Sequence, residues 1–298
     1  MIKHARGTFH RAALRRRLDA ITTGKSTRLK FDLDATTFDP ALLLSQVAAP
    51  MHADSAELRR LNAAFRESKA LKRVVEGLSA PSTERRIRSC RTVGALRLEE
   101  ALPWLTPLLR AGDARLASAA AGALGRIGGM RSADALLGVI QRRGPRRAFI
   151  VALARAAPDL YLEAALCSRA WDRALGPVAV AAGLRRRRTA IRPLTALLGA
   201  GTQRQRVISC RALGWSKARV AIPSVIQALG DPDWRVRISA IKSLMLLQAV
   251  SPPDQLQVFL QIESLLTDTD LRVRSAARRS VRRLTSVLMN RTGRQQWR

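Results

Sequence analysis

The sequence predicts an all-α fold, a right-handed α-solenoid of about seven short helical hairpins with an N-terminal helical cap. Alanine, leucine and arginine dominate the 298 residues, and aromatic residues make up 4%. This composition is typical of helices, because these three residue types lose little entropy there. No stretch alternates polar and apolar residues over the length of a strand. Similar segments also recur along the chain, which indicates that one helical unit is repeated.

Repeated segments set the register of the units. Three pairs of segments resemble each other: 89–94 with 209–214, 105–112 with 194–201, and 231–237 with 268–274. The apolar residue that ends each motif falls at Val93, Leu124, Leu153, Leu184, Leu213, Leu244 and Val281. The period is roughly 30 residues, with a longer step before the last unit. The pattern predicts about seven helix–turn–helix units between about residues 82 and 290.

Each unit has one design, which the segment 218–244 illustrates. Its first helix, at 218–229, carries apolar residues three and four positions apart. A turn of Gly, Asp and Pro follows at 230–232, where Gly tolerates unusual φ angles and Asp caps the next helix. A second helix then buries Val236, Ala240 and Leu244. Because one hairpin cannot bury both of its apolar faces, neighbouring hairpins must stack on each other.

Residues 1–80 lie outside this register. We expect them to form a helical cap that covers the first repeat. Pro40 to Val47 has the apolar pattern of a short helix, and Asp54 to Leu78 has that of a longer amphipathic one. We therefore expect an N-terminal basic segment and helical cap at 1–80, a repeat array at 81–290 and a C-terminal tail at 291–298.

The chain is strongly basic, with 53 Lys and Arg against 22 Asp and Glu and a net charge of +31. Such a field attracts polyanions, including nucleic acid, anionic membrane surfaces and acidic proteins. However, 46 of the cations are arginine and 7 are lysine, a bias that a GC-rich genome produces without selection for binding. General surface basicity therefore stays an alternative to a specific anionic partner.

The cysteines and the apolar runs limit the kinds of site to expect. Cys90, Cys167 and Cys210 stand far apart with no CxxC pair, which predicts a reducing compartment, and we expect the cytoplasm. No Cys/His cluster has zinc-ligand spacing, so no metal and no cofactor are expected. No apolar run reaches the roughly 18 residues of a transmembrane helix.

The motif at the turn and second helix resembles a known repeat. Asp231, Val236, Arg237, Ala240 and Leu244 match the pattern Asp-x4-Val-Arg-x2-Ala-x3-Leu of the HEAT repeat, especially the bacterial form called PBS-lyase HEAT-like. The last unit keeps Asp268, Val273, Arg274 and Ala277, with Val281 at the Leu position. The resemblance covers about two thirds of the chain and implies the fold, whereas HEAT proteins bind many unrelated partners.

Arginines recur at the start of the second helices. Arg206, Arg237 and Arg274 occupy equivalent positions, and the HEAT resemblance implies that such arginines pair with turn aspartates of the adjacent unit. The aspartates available for such a ladder are Asp231, Asp233, Asp268 and Asp270. Contact with a ligand is the alternative.

Further arginines form a positive stripe on the last helix. Arg274, Arg278 and Arg282 follow one another at four-residue spacing, and like charges at that spacing destabilise a helix slightly. An anionic partner would relieve this repulsion. The candidate partner-binding residues are Arg206, Arg237, Arg274, Arg278 and Arg282.

Enzymatic alternatives have little support in the sequence. DNA glycosylases and the bilin lyases of phycobilisomes are similar in using HEAT-like repeats, and Trp171-Asp172 is a close Trp–acid pair in the least regular part of the array. The segment 24–27 imitates the end of a phosphate-binding loop, but Asp19 stands where that loop needs glycine. All three histidines precede the array, so no Ser/His/Asp or Cys/His constellation can be built and no catalytic residue is expected.

The sequence therefore predicts a non-enzymatic scaffold or adaptor that binds an acidic protein partner along the face of its second helices. A nucleic-acid-binding solenoid, held by arginine contacts to phosphate, is the alternative. Peripheral attachment to an anionic membrane is a third hypothesis.

Overall fold

The computed structural model describes residues 2–29, 40–48, 50–68, 70–247 and 252–295. These residues form seventeen α-helices and no strand, which confirms the predicted all-α class. The helices are α1 (Ile2–Thr22), α2 (Pro40–Ala48), α3 (Ala56–Glu67), α4 (Ala70–Gly77), α5 (Thr83–Leu96), α6 (Leu102–Leu108), α7 (Ala114–Ile127), α8 (Gly129–Arg143), α9 (Arg147–Ala156), α10 (Asp159–Cys167), α11 (Leu175–Leu184), α12 (Ile191–Ala200), α13 (Gln203–Ser216), α14 (Ile222–Gln227), α15 (Trp234–Leu247), α16 (Pro252–Glu263) and α17 (Leu271–Gln295). Short 3-10 turns lead into α6, α11, α12 and α14.

Seven antiparallel hairpins account for α4 to α17 in the described part of the chain. The pairs are α4–α5, α6–α7, α8–α9, α10–α11, α12–α13, α14–α15 and α16–α17. The chain divides into two compact units, Met1–Pro158 with three hairpins and Asp159–Arg298 with four. In the first unit α7 packs between α5 and α9; in the second, α13 packs between α11 and α15, and α15 between α13 and α17. The predicted α-solenoid of HEAT-like hairpins is therefore confirmed.

The second helices begin at polar caps that the sequence supplies. The Asp113 carboxylate accepts hydrogen bonds from the backbone N–H of Arg115 at 2.7 Å and of Leu116 at 3.3 Å. At the start of α13, Thr202 and Gln205 cap each other's backbone N–H in a capping box. Such caps satisfy amides that lack a partner within the helix, so they fix where each second helix starts.

Glycines let the second helices approach each other closely. A Cβ atom added at Gly94 would lie 2.6 Å from Cα of Ala123, and one added at Gly214 would lie 2.8 Å from Cα of Ser243. Real Cβ atoms do not tolerate these distances, so only glycine fits at this position of the interface. Gly125 and Gly183 make the equivalent contacts in the hairpins between them.

Gly183 corrects the predicted register of the fourth hairpin. The repeat predicts Leu184 as its buried apolar residue, but Leu184 is 50% exposed. An added Cβ at Gly183 would lie 2.8 Å from the carbonyl oxygen of Ala212, which aligns Gly183 with Gly214. The buried position before the glycine is therefore Ala182, two residues earlier than predicted.

The N-terminal part of the first unit also differs in detail from the sequence expectation. The helix expected over 54–78 is divided into α3 and α4, and α4 pairs with α5 as the first helix of the first hairpin. The hairpins thus begin before residue 81. Of the remaining N-terminal helices, α1 packs on both α2 and α3, and α2 also packs on α5.

Candidate functional site

A ladder of arginine–aspartate pairs joins successive hairpins of the second unit. Arg206 donates from Nε to Oδ2 of Asp231 at 2.7 Å and from Nη2 to Oδ1 at 3.0 Å. Arg237 makes the same bidentate pair with Asp268, at 2.9 Å for both bonds. Both carboxylates are nearly buried, with exposed side-chain fractions of 8% for Asp231 and 6% for Asp268.

Each of these arginines also donates a hydrogen bond to the turn that precedes its own helix. Arg206 donates to the carbonyl of Gly201 at 3.0 Å, and Arg237 donates to that of Asp231 at 2.8 Å. The hydrogen bonds that the Asp231 carboxylate accepts from Arg206 raise the pKa of the Arg206 guanidinium. Most N–H donors of both guanidinium groups are therefore used inside the protein. This geometry agrees with the interpretation that Arg206 and Arg237 form a structural ladder. Partner binding by Arg206 and Arg237 stays a prediction.

The arginine stripe lies on one side of α17. In α13 and α15, the equivalent side of the helix packs against the next hairpin. In α13 this face carries Arg206, Cys210 and Gly214, and in α15 it carries Arg237, Ile241 and Met245. Its contacts are clear in α13, where Ser243 of α15 donates to the Cys210 carbonyl at 2.8 Å. In α17 the equivalent residues are Arg274, Arg278 and Arg282.

The stripe therefore replaces the apolar residues of a stacking face with charge. Ile241 is fully buried, whereas its counterpart Arg278 is exposed, and so is Arg282. Arg274 donates to the turn carbonyls of Asp268 and Thr269, but no carboxylate pairs with it within the described residues. A polar outer face of this kind is typical of the terminal unit of a repeat array. Partner binding by these three arginines stays a prediction.

The exposed side of the second helices carries three rows of equivalent residues in the second unit, which we call the second-helix face. The first basic row is Arg204, Arg235 and Arg272; the second basic row is Arg211, Lys242 and Arg279; the apolar row is Leu184, Trp215 and Leu246. The apolar side chains are exposed by 50%, 37% and 41%, respectively. Added at Gly183, a Cβ would lie 3.3 Å from Cβ of Trp215, so the apolar residues of α11 and α13 are neighbours.

The first basic row is partly neutralised by its own turn. Two guanidinium groups contact the Trp234 ring, with Cζ of Arg272 3.6 Å and Cζ of Arg235 4.5 Å from the ring centroid. Arg272 pairs with Asp270 at 3.1 Å and Arg235 lies 3.7 Å from Asp233. These contacts fix the row in place and reduce its net charge.

The second basic row keeps its charge. Neither Arg211 nor Lys242 has a hydrogen-bond or ion-pair partner for its side chain in the described part of the chain, and Arg279 donates only to the Ser275 hydroxyl at 2.7 Å. This row runs beside the apolar row, one helical turn nearer the N-termini of the helices. The second-helix face thus presents free cations beside accessible apolar side chains.

Two second helices of the first unit have an arginine where the second unit has its apolar row, and α5 has the buried Ala95. The residues equivalent to Trp215 are Arg126 in α7 and Arg155 in α9. Burial and the nearby charges of Arg155 and Arg97 lower the pKa of Arg126. Arg126 donates to the hydroxyl of Ser45 in α2, so the N-terminal helices satisfy part of this cluster.

Trp171 and Asp172, the residues that suggested a glycosylase, do not line one common cavity. Asp172 lines a cavity of about 310 Å³ with aliphatic side chains such as Leu166, Leu175 and Leu197, but Trp171 is not among the residues that line it. A base-binding pocket would need an aromatic surface beside the carboxylate. Trp297 lies outside the described residues.

The segment 24–27 does not form a phosphate-binding loop. It follows the C-terminal end of α1, where the backbone N–H of Thr23 donates to Asp19 and that of Gly24 donates to Ile21. A phosphate-binding loop instead leads into a helix N-terminus, with free amides directed at the anion.

The described residues contain no group of three or more His, Cys, Asp or Glu placed to hold a metal ion. All three cysteines are unpaired, and burial raises the pKa of Cys90 and of Cys210 to about 12. These two thiols therefore stay protonated at neutral pH. In the described part of the chain, no helix is both long and apolar enough to cross a bilayer.

Comparison with known families agrees with this geometry. Residues 71–154 and 179–282, more than half of the chain, match the family described as HEAT repeats. The chain belongs to the HEAT-repeat family. The unmatched segment between these regions contains α10 and the irregular turn around Trp171. No curated protein sequence matches this HEAT-repeat chain significantly.

Several solved structures resemble it at low identity. Human deoxyhypusine hydroxylase in complex with glycerol is 16% identical over 92% of this chain and 98% of that one, with a TM-score of 0.36. The complex of CpcE and CpcF of phycocyanin lyase from Nostoc sp. PCC7120 is 18% identical over 81% and 100%, with a TM-score of 0.34. The archaeal HEAT-like repeats protein from Thermococcus onnurineus NA1 is 12% identical over 83% and 97%, with a TM-score of 0.31. At these values the similarities carry no information on activity or partners.

Proposed function

We propose that this HEAT-repeat protein is a non-enzymatic scaffold that binds an acidic protein partner on its second-helix face. The observation that carries the proposal is the apolar row of Leu184, Trp215 and Leu246 beside a row of free cations. Protein interfaces combine a desolvated apolar centre, often with tryptophan, and a charged rim. A partner with carboxylates around an aliphatic or aromatic patch would satisfy both rows.

The charge of the second basic row supports an acidic partner. Arg211 and Lys242 repel each other across adjacent helices, and carboxylates placed between them would turn that repulsion into attraction. Guanidinium groups also form bidentate hydrogen bonds to carboxylates, which adds geometric selectivity. The candidate residues Arg278 and Arg282 would extend the same positive field at the end of the array. We place this scaffold in the cytoplasm, where its three unpaired cysteines would stay reduced.

Affinity purification of full-length variants tests the proposal. Wild type and Leu184→Glu/Leu246→Glu would be used as bait, with Leu160→Glu as the matched control, because Leu160 is 75% exposed on the first helix α10. We expect the proteins bound by wild type to be retained by the control and lost from the double variant. Equal recovery on all three baits would contradict the proposal.

Nucleic acid is the second candidate partner, and the unpaired cations of the second basic row favour it. Phosphate contacts release counterions, so such binding falls steeply as salt rises, whereas an apolar protein interface is far less sensitive. A gel-shift titration across salt would compare wild type with Arg278→Glu/Arg282→Glu and with Arg211→Glu/Lys242→Glu. Absence of a shift at low salt would exclude nucleic acid, and sedimentation with anionic liposomes tests a membrane surface in the same way.

A further inference from the structure

A basic groove lies between the first helices α12 and α14 of the second unit, among residues other than those of the second-helix face. Its volume is about 1090 Å³. The cations that line it are Arg186, Arg188, Arg192, Lys217 and Arg219. The other residues that line it are apolar or carry hydroxyl groups, and no carboxylate is among them.

Most of these cations have no partner within the protein. The side chains of Arg186, Arg188, Arg192 and Lys217 make no hydrogen bond or ion pair in the described part of the chain, and all four are exposed. Asp159, the first residue of α10, is paired with Arg187 and not with these four cations. Four unpaired positive charges around one groove repel one another, and a bound anion would remove that repulsion.

Helix dipoles do not explain the arginines at this groove. Arg188 and Arg192 lie at the N-terminal end of α12 and its leading turn, where the helix dipole disfavours cations and favours anions. Arg219 has the same position in the turn before α14. The arginines and the N-terminal end of α12 thus add their positive potential at one place.

Two of the cations that line the groove belong to residues with an unfavourable backbone conformation. Arg186 has φ 50° and Lys217 has φ 53°, in the left-handed region that favours glycine. The equivalent position after α7 is Gly128, with φ 79°. Both positions at the groove therefore carry a long cationic side chain where glycine would fit more easily, as does Arg97 after α5, with φ 52°.

The lining identifies the chemistry of the ligand. Its apolar part is aliphatic, with Ile191, Ala196 and Val220, and Val220 is 73% exposed. No aromatic side chain lines the groove, so the bases of a single-stranded nucleic acid would have nothing to stack on. Guanidinium forks pair well with carboxylates, and an aliphatic floor accepts aliphatic side chains.

We propose that this groove is a second binding site, for an acidic peptide segment with interspersed aliphatic side chains. Carboxylates of the segment would pair with Arg186, Arg188, Arg192 and Lys217, and its aliphatic residues would cover Ile191 and Val220. The inference does not depend on the second-helix face, so either site can fail while the other holds.

Fluorescence anisotropy with defined probes tests the proposal. The probes are labelled peptides of repeated Glu-Glu-Leu and repeated Glu-Glu-Ser of equal length, and an oligothymidylate of similar charge. We expect wild type to bind the Glu-Glu-Leu peptide most tightly and Arg188→Glu/Arg192→Glu to weaken it by about tenfold or more. Val220→Asp should remove the preference for Leu over Ser.

The control variant is Arg131→Glu/Arg147→Glu, which changes net charge equally at exposed residues of the first unit, outside both proposed sites, and should retain the peptide affinity. If the charge reversal unfolds the protein by circular dichroism, Arg188→Gln/Arg192→Gln replaces it with the same expected direction. No peptide binding at low salt, equal loss in both charge variants, or tighter binding of the oligothymidylate would each overturn the proposal.

Discussion

At the scale of single residues, the arginine–aspartate ladder separates structural arginines from available ones. Arg237 is 12% exposed and has a nearly buried partner in Asp268, whereas Arg211, in the same kind of helix, is exposed. A buried charge needs its partner because desolvation penalises it when unpaired, whereas an exposed arginine is satisfied by water. Counting arginines therefore overstates the surface that is free to bind a partner.

Removing one carboxylate of the ladder should destabilise the protein more than removing an exposed acid. Asp268→Ala leaves the Arg237 guanidinium without its bidentate partner and removes an acceptor from the next turn, where Asp268 also accepts the Asp270 N–H at 2.8 Å. We expect the free energy of unfolding to fall by about 2–4 kcal/mol, measured by urea titration. Glu263→Ala, an exposed acid near the same turn, should change it by less than about 0.5 kcal/mol. Equal effects would mean that the ladder pair adds little stability.

The ladder also shows what sequence can predict about single residues. The positions of Arg206, Arg237 and Arg274, and the aspartate partners of the first two, follow from the repeat spacing, because equivalent residues occupy equivalent environments in a stack. The role of Arg278 and Arg282 does not follow so directly. Their role depends on which side of α17 corresponds to the stacking sides of α13 and α15, and four-residue spacing alone does not define that side.

At the scale of helices, contacts at glycine decide how closely the second helices pack. Gly94 and Gly214 belong to the repeated segments, so the sequence locates both close approaches. In the fourth hairpin, small and apolar residues fill 174–184, and the apolar pattern alone does not distinguish Ala182 from Leu184 as the buried residue. Alignment of Gly183 with Gly214 would have resolved this, and it would also have revealed the apolar row.

Two glycines of the first unit offer a direct test of close packing. Alanine is the better helix former, so substitution of a glycine inside a helix normally stabilises it by about 0.5–1 kcal/mol. We expect that gain for Gly122→Ala in α7, where an added Cβ meets nothing within 4 Å. Gly94→Ala in α5 should instead destabilise the first unit by about 1–3 kcal/mol, because its Cβ would strike the backbone of Ala123. Thermal and urea unfolding of both variants would measure the contrast, and a gain at Gly94 would refute it.

At the scale of the whole molecule, the net charge of +31 opposes folding through repulsion among arginines. The ladder and turn aspartates neutralise a minority of them, since Asp and Glu number 22 in total. Composition alone reveals this imbalance. It does not reveal that the free cations gather in rows on the second-helix face and in the groove between α12 and α14, because that depends on how the hairpins stack.

Salt should therefore stabilise this protein. Raising ionic strength from low to physiological shortens the Debye length from about 30 Å to about 8 Å, which screens repulsion between exposed arginines. We expect the midpoint of thermal unfolding to rise over this range when followed by circular dichroism. The rise should be smaller for Arg278→Gln/Arg282→Gln than for wild type, and a midpoint that falls with salt would contradict the expectation.

The arginines on the outer side of α17 have a consequence for self-association. A repeat whose last helix offered isoleucine and glycine there would invite another molecule's hairpin to dock as if it were the next repeat, and head-to-tail contacts of that kind propagate into filaments. Arg278 and Arg282, in place of such residues, make a continuation by an identical molecule electrostatically unfavourable. The charge that we propose to attract an acidic partner would thus also oppose head-to-tail association of copies.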